Sequence, residues 1–400
     1  MKRGSLPHLF LTFLKIGSLS FGGFMALVAA VQKQVVERDK LISHEEVLDG
    51  ISLASVLPGP LAVNVIAYIG YRLKGLRGAL VSMAGILLPS FLFMLILSEL
   101  YLRYGQMPRL DSFFAGVLPA VSAIIVSVAL GMIKKSVADW KQVLLVLAAG
   151  VVTYFSKTYL STVLIIAGSG ILGYILYYRR GTSEKNKVTK AYRRPVIGRA
   201  WVIGGAVVIV FVVVMAGLPA IVSDKAPILL LHRKIMLTFS GLSLTLFGGG
   251  YVAVPSMKQL IVDTLQWLSP KEFADAIALG QVTPGPILVS ATFVGYKLAG
   301  FAGALNATLS IFLPTAIVML ICGRFFNSIR ESAILKAVFK GLRPAIIGMI
   351  LSAAVTIFAH SGISVRSCLL LAVILVVVIK YNTDPVYIIP AAGLLGLILF

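Results

Sequence analysis

Apolar residues run through this chain in long stretches, separated by short polar clusters. The stretches fall at about 8–31, 47–73, 77–101, 111–133, 142–156 and 159–178, and again at about 200–219, 230–256, 273–299, 301–323, 333–359, 363–380 and 385–400. Most approach the roughly 20 residues that a helix needs to cross hydrocarbon, and the alternation of barrel strands is missing. The pattern predicts an all-α polytopic membrane protein of about thirteen spans.

Two of the stretches carry the same interruption, Pro58-Gly59-Pro60 and Pro284-Gly285-Pro286. Proline removes a backbone donor and clashes with the preceding turn, and glycine opens left-handed backbone angles, so each triplet ends one helix and can start another. Hydrocarbon tolerates such a break only where protein or a polar cavity shields it. Either the broken segments span the membrane or they are re-entrant hairpins. Paired breaks at corresponding positions of two halves are a pointer to a transporter's binding site.

The interruptions belong to a longer repeat. Phe21-Gly22-Gly23 recurs as Phe247-Gly248-Gly249, and Pro58-Gly59-Pro60 as Pro284-Gly285-Pro286, both 226 residues on. After a one-residue deletion the register continues at 225, pairing Gly70-Tyr71 with Gly295-Tyr296, Pro89 with Pro314, and Pro119 with Pro344. Residues 1–180 are thus one repeat of about six segments and 229–400 the other; 181–228 hold a basic linker and one extra helix. With an odd helix between them the repeats enter the membrane from opposite faces and are inverted, each with its Pro-Gly-Pro break.

Composition sharpens the picture. Hydrophobic residues make up 58% of the chain and charged residues only 13%, with a mean hydropathy of +0.97. The formal charge of +21 would suggest nucleic acid as partner of a soluble protein, but the basic residues gather beside apolar runs. The partner they imply is the lipid bilayer of a cell membrane: the positive-inside rule puts the N-terminus, with Lys2 and Arg3, and the linker Arg179–Arg199 in the cytoplasm. The first apolar run is longer than a signal peptide's and reads as a retained span. Cys322 and Cys368 form no metal-ligand spacing, and no nucleotide loop or nucleophile–base pair stands out, so neither a cofactor, a metal nor an enzyme is expected.

The breaks themselves supply candidate chemistry. A half-helix starting after Pro-Gly-Pro presents free amides and the positive end of its dipole, which attract anions. Asn64 in the first repeat, and Thr283, Ser290 and Thr292 in the second, can add neutral donors or merely cap the break. Gly22, Gly23, Gly248 and Gly249 either pack helices closely or bring backbone to a substrate. Lys15 lies within an apolar run, where it either snorkels or balances an anion. Ser43 with Glu46 and Ser269 with Glu272 spell capping boxes, so both glutamates read as structural. One turn further in, Asp49 and Asp275 are paired acidic residues at membrane depth and candidates for a proton relay.

Several motifs together resemble the chromate ion transporter family in its fused two-domain form. They are Ser-Phe-Gly-Gly at 20–23, Val-Glu-Arg at 36–38, Leu-Pro-Gly-Pro at 57–60, Tyr-Ile-Gly-Tyr-Arg at 68–72, Gly-Gln-Val-Thr-Pro-Gly-Pro at 280–286 and Ala-Thr-Phe-Val-Gly-Tyr at 291–296. The resemblance implies antiparallel halves and export of chromate driven by the proton gradient or the membrane potential. Phe24 stands where the family usually has proline, and Leu61, Ala62 and Val63 replace its polar turn. A sulfate-like oxyanion therefore stays open as substrate. A channel or uptake carrier for sulfate or another small anion is the alternative, with a lipid-phosphate enzyme or flippase behind it; a homodimer is compatible with all of these.

Overall fold

The computed structural model describes residues 4–20, 27, 30–55, 57–104, 108–156, 159–178, 227–246, 250–323, 333–359, 363–381, 383 and 385–400. The basic linker, the extra helix expected at 200–219, and Gly22, Gly23, Gly248 and Gly249 lie outside them. Among the described residues the regular structure is all helical. Helices Leu61–Tyr104, Asp111–Lys134, Ile287–Gly323 and Lys336–Ala359 are long and apolar enough to cross a membrane, and shorter apolar helices accompany them.

In chain order the first half contains α1 (Leu6–Leu19), a π-helical stretch (Gln32–Arg38), α2 (His44–Ala54), α3 and α4 (61–73 and 76–104, the two limbs of Leu61–Tyr104), α5 (Pro108–Ser136), α6 (Trp140–Phe155) and α7 (Tyr159–Tyr177). The second half contains α8 (Pro227–Thr245), a π-helical stretch (Lys258–Thr264), α9 (Pro270–Val282), α10 and α11 (290–298 and 301–323, the limbs of Ser290–Gly323), α12 (Ala333–Ala359), α13 (Val365–Tyr381) and α14 (Pro385–Leu399). Six of these eight elements of the second half start 225 or 226 residues after their counterparts.

The correspondence extends to unusual backbone angles. Gly59 and Gly285 have φ of +107° and +103°, and Lys40 and Gln266 have φ of 51° and 52°. Gly75 and Gly300 have φ of +60° and +59°, where the chain turns between α3 and α4 and between α10 and α11. The turn is sharp: a Cβ on Gly70 would stand 2.5 Å from the carbonyl oxygen of Gly78, eight residues on. Gly295 and Gly303 approach each other in the same way. Only residues without a side chain allow two helix backbones so close.

Each broken segment folds back on itself. Arg72 at the end of α3 reaches Glu46 at the start of α2, Nη2 to Oε1 2.6 Å, although a straight helix would hold them roughly 39 Å apart at 1.5 Å per residue. Lys297 and Glu272 repeat the pairing at 2.5 Å. The first segment also returns: His8 Nε2, near the start of α1, lies 3.4 Å from Asp39 Oδ2, just past the π-helical stretch. Of the two forms open to the sequence, the structure adopts the hairpin. Both capping boxes form, with Ser43 and Glu46, and Ser269 and Glu272, bonded reciprocally to each other's backbone. They fix where each hairpin begins.

The halves exchange helices. α6 and α7 pack on α12 of the other half, and α13 and α14 pack on α5. Glycines make these crossings close: Gly116 lies against Gly396, Gly173 against Gly341 and Gly150 against Gly348. α4 and α11 meet at the centre, with Phe293, Phe312, Phe239 and Met94 fully buried around them. Large apolar side chains cover the outside, among them Ile96, Leu147, Ile175, Val373 and Leu397, a surface matched to lipid.

Candidate functional site

The two Pro-Gly-Pro breaks are brought together at the centre, each held by the opposite half. The Gly59 amide donates to the carbonyl of Leu246 at 2.6 Å, and the Gly285 amide donates to the carbonyl of Ser20 at 3.0 Å. Leu246 and Ser20 are themselves equivalent in the repeat, each just past the end of the first helix of its half. Gly59 packs face-on against Thr315 of α11, and Gly285 against Ser90 of α4, again equivalent positions. A positive φ and this contact both require glycine.

Around the breaks the donors are distributed unevenly. Asn64 is fully buried and its Nδ2 donates to the carbonyl of Pro58 at 3.0 Å, leaving Oδ1 unpartnered. Thr283 donates to the Gly280 carbonyl at 2.9 Å. Thr308 spends its proton on Ala304, so Thr292, 2.8 Å from Thr308, donates to it across the α10–α11 contact. Ser290 is the exception. Its hydroxyl, 1% exposed at the start of α10, has no partner. Of the four polar residues expected at the breaks, Ser290 keeps its hydroxyl free and Asn64 leaves its Oδ1 unpartnered.

The second break has further polar neighbours that the sequence pattern did not single out. Gln281, in the last turn of α9, accepts from the Tyr251 hydroxyl at 3.1 Å through Oε1, while its buried Nε2 is unpartnered. Gly280 beside it is tight against α10: a Cβ there would stand 3.1 Å from the Ile287 carbonyl oxygen and 3.4 Å from Ser290 Cβ. Ser20 and Ser90, both against Gly285, add buried hydroxyls without partners. Nothing in composition marks one glutamine among the polar residues; only its unpaired amide does.

The charged candidates separate. Asp275 is fully buried on α9 and accepts a 2.6 Å hydrogen bond from Tyr101 of α4, with Oδ1 unpartnered. Its counterpart Asp49 is partly exposed, near the Glu46–Arg72 pair. The residue equivalent to Tyr101 is Phe326, which has no hydroxyl to donate. Lys15 is exposed, on the face of α1 opposite the buried Phe13 and Ile16. The cations beside the breaks, Arg72 and Lys297, belong to the hairpin-closing ion pairs. At the second of these a cavity of about 580 Å³ is lined by Asp263, Gln266, Trp267, Glu272 and Lys297 among others. Among the described residues no group of three or more His, Cys, Asp or Glu is placed to hold a metal ion.

Apolar helices of membrane length, a lipid-matched exterior and polar breaks enclosed at the centre define an integral, multi-pass membrane protein. The chain matches the chromate transporter family over residues 7–174 and 233–397 and belongs to that family. It is 28% identical to the chromate transport protein of Cupriavidus metallidurans over 99% of this chain and 94% of that one. It is 29% identical to the uncharacterized transporter MJ0718 of Methanocaldococcus jannaschii, covering 94% of this chain and 91% of that one. The uncharacterized transporter YwrA of Bacillus subtilis matches 38% of this chain with 86% of its own length, at 31% identity. No solved structure matches the chain.

Proposed function

We propose that this protein is a secondary transporter, not an enzyme, which carries chromate or a related tetrahedral oxyanion out of the cytoplasm, driven by the proton gradient or the membrane potential. The observation that carries the reading is the reciprocal pairing of the two breaks, Gly59 with Leu246 and Gly285 with Ser20. Two equivalent chain breaks meeting at the centre suit a substrate site between repeats. The relative from Cupriavidus metallidurans is named a chromate transport protein, which supports the choice of ion.

The repeats are inverted in this reading. The far end of α4 meets the mouth of the second half's hairpin, Glu99 accepting from Tyr296 at 2.5 Å and Tyr101 donating to Asp275. Reciprocally, Gly323 at the far end of α11 lies against Tyr68 and Leu53 of the first half's hairpin. Those contacts are what antiparallel α4 and α11 require. Folded-back segments do not cross, so each half crosses with its last four helices, and with the extra helix between them the count is nine rather than thirteen. Lys74, Arg77, Lys134, Lys336 and Lys340 then share the face where the first half's hairpins open, which is cytoplasmic. YwrA, whose length corresponds to one half, is consistent with the half as a structural unit.

In the site, the amides opening α3 and α10, the Pro-Gly-Pro turns and Ser290 surround the anion. Asp275 is the group that takes up and releases the coupled proton, and Asp49 and Lys15 have no part in the centre. The test is radiolabelled chromate flux in proteoliposomes, together with chromate accumulation in cells with and without the protein. Flux and lowered accumulation are expected; no flux under any imposed gradient would refute chromate transport. Flux that follows only the anion gradient and ignores the proton gradient would point to a channel.

A further inference from the structure

We infer that Gln281, held in orientation by Tyr251, is a substrate-binding residue that works with Ser290 to recognise a fully deprotonated tetrahedral oxyanion on the second half's side of the centre. The inference rests on the oxyanion-transport reading and names the groups that would do the recognising. Gln281 and Ser290 are 6% and 1% exposed, and each has a polar hydrogen with nothing to receive it. Buried donors are normally paired, because leaving one dry forfeits its hydration without return. Two such donors flanking one chain break, with Gly280 pressed against Ser290, point to a shared acceptor that enters with the substrate.

Tyr251 determines which end of the amide is offered. Its hydroxyl donates to Gln281 Oε1 at 3.1 Å, so the acceptor end is occupied and the NH₂ end is free. Tyr251 comes from the short turn Gly250–Val252, C-terminal to α8, and a Cβ at Gly250 would lie 3.7 Å from Ile287 Cβ. Both hairpins of the second half thus converge on the start of α10. In the first half Asn64 donates from Nδ2 to the Pro58 carbonyl and leaves its Oδ1 unpartnered. Repeat equivalents of Gln281 and Tyr251 are Ser55 and Met25, which do not reproduce the amide–phenol pair. The amide–phenol pair therefore stands on the second half's side alone.

The NH₂ end of Gln281, which can only donate, also discriminates. Chromate and sulfate bring only acceptors to such a site, whereas hydrogen phosphate brings a hydroxyl proton that the Gln281 amide nitrogen cannot receive. Groups left unpaired are how a polar site rejects a close analogue. The closing experiment measures chromate flux in proteoliposomes for the wild type, Gln281→Leu, Gln281→Asn and Tyr251→Phe, with sulfate and phosphate as competitors. Gln281→Leu is expected to raise KM about ten- to a hundredfold with little change in maximal rate, as loss of a hydrogen bond to a charged group implies. Tyr251→Phe frees the amide to rotate and raises KM by a smaller, several-fold factor at unchanged maximal rate. Gln281→Asn, which keeps the donor but shortens its reach, covers the case in which the leucine variant does not fold, and it too should raise KM. Sulfate should compete at least tenfold better than phosphate. Wild-type flux with unchanged KM in the Gln281 variants, or equal competition by phosphate, overturns this inference and leaves the transport reading standing. Absence of wild-type flux, with no thermal stabilisation by chromate or sulfate, overturns both.

Discussion

The two central glycines should respond differently to the same pair of substitutions. Gly59→Ala and Gly285→Ala each place a side chain on a residue with φ above +100°, a strain of about 1–3 kcal/mol. Each also drives a Cβ into the opposite half, where overpacking adds about 1–3 kcal/mol. At Gly285 the obstructing atom is Ser90 Oγ, and Ser90 Cβ stands off at 3.3 Å. At Gly59 the obstruction is Thr315 Cβ itself together with Oγ1, with Cγ2 at 2.6 Å. Ser90→Ala removes the offending oxygen, which has no hydrogen-bond partner to lose, so the change alone should be nearly neutral. In the double variant Gly285→Ala with Ser90→Ala, the steric part, about 1–3 kcal/mol, should return and the backbone strain remain. Thr315→Ala keeps the Cβ and should leave most of the defect of Gly59→Ala in place. The assay is a double-mutant cycle on thermal unfolding in detergent, run beside chromate flux. Equal rescue at both positions, or no loss from either glycine substitution, would refute the packing of the breaks against α4 and α11.

Three further outcomes are expected. Asp275→Asn should remove the pH dependence of chromate flux while substrate binding persists, the other groups around it being Tyr101, Asp111, Lys271 and Glu272; an unchanged pH profile would exclude Asp275 as the coupling group. With Cys322 and Cys368 replaced, single cysteines at positions 45 and 74 should react with an impermeant reagent from the same face, and cysteines at 271 and 300 from the opposite one; labelling of 45 and 74 from opposite faces would refute the hairpin. The Arg72 guanidinium, and then the Ser43 amide, hold the Glu46 carboxyl below its usual range. Their stabilisation is accordingly present at pH above about 4.3 and lost as pH falls through the lowered value. Because the pair is exposed, Arg72→Gln should cost about 0.2–1 kcal/mol and Ser43→Ala, which loses the cap, about 0.5–2 kcal/mol, both measured by unfolding at neutral pH.

Membership of the bilayer, the helical class, the duplication and the positions of its breaks were legible in the order of residues. They depend on local properties: runs of apolar side chains, prolines that cannot donate, glycines that accept positive φ, and a spacing that repeats. Glu46 and Glu272 were legible as capping residues for the same reason, since a capping box closes within four residues. The return of each hairpin was not, because a straight and a folded segment have the same composition; the Glu46–Arg72 and Glu272–Lys297 contacts distinguish them in space. The exchange of α6 and α7 for α13 and α14 between halves was equally hidden.

At the site the division is sharper. Sequence identified which residues carry polar groups, but a hydrogen bond made elsewhere decides whether such a group remains available. Asn64, Thr283 and Thr292 each donate to a partner within the protein, whereas the Ser290 hydroxyl and Gln281 Nε2 do not. Asp49 and Asp275 are equivalent by spacing, yet only Asp275 is buried and bonded to a tyrosine from the other half. Local chemistry is written along the chain, while burial and partnerships such as Tyr101 with Asp275, 174 positions apart, arise only where the packed structure brings distant residues together.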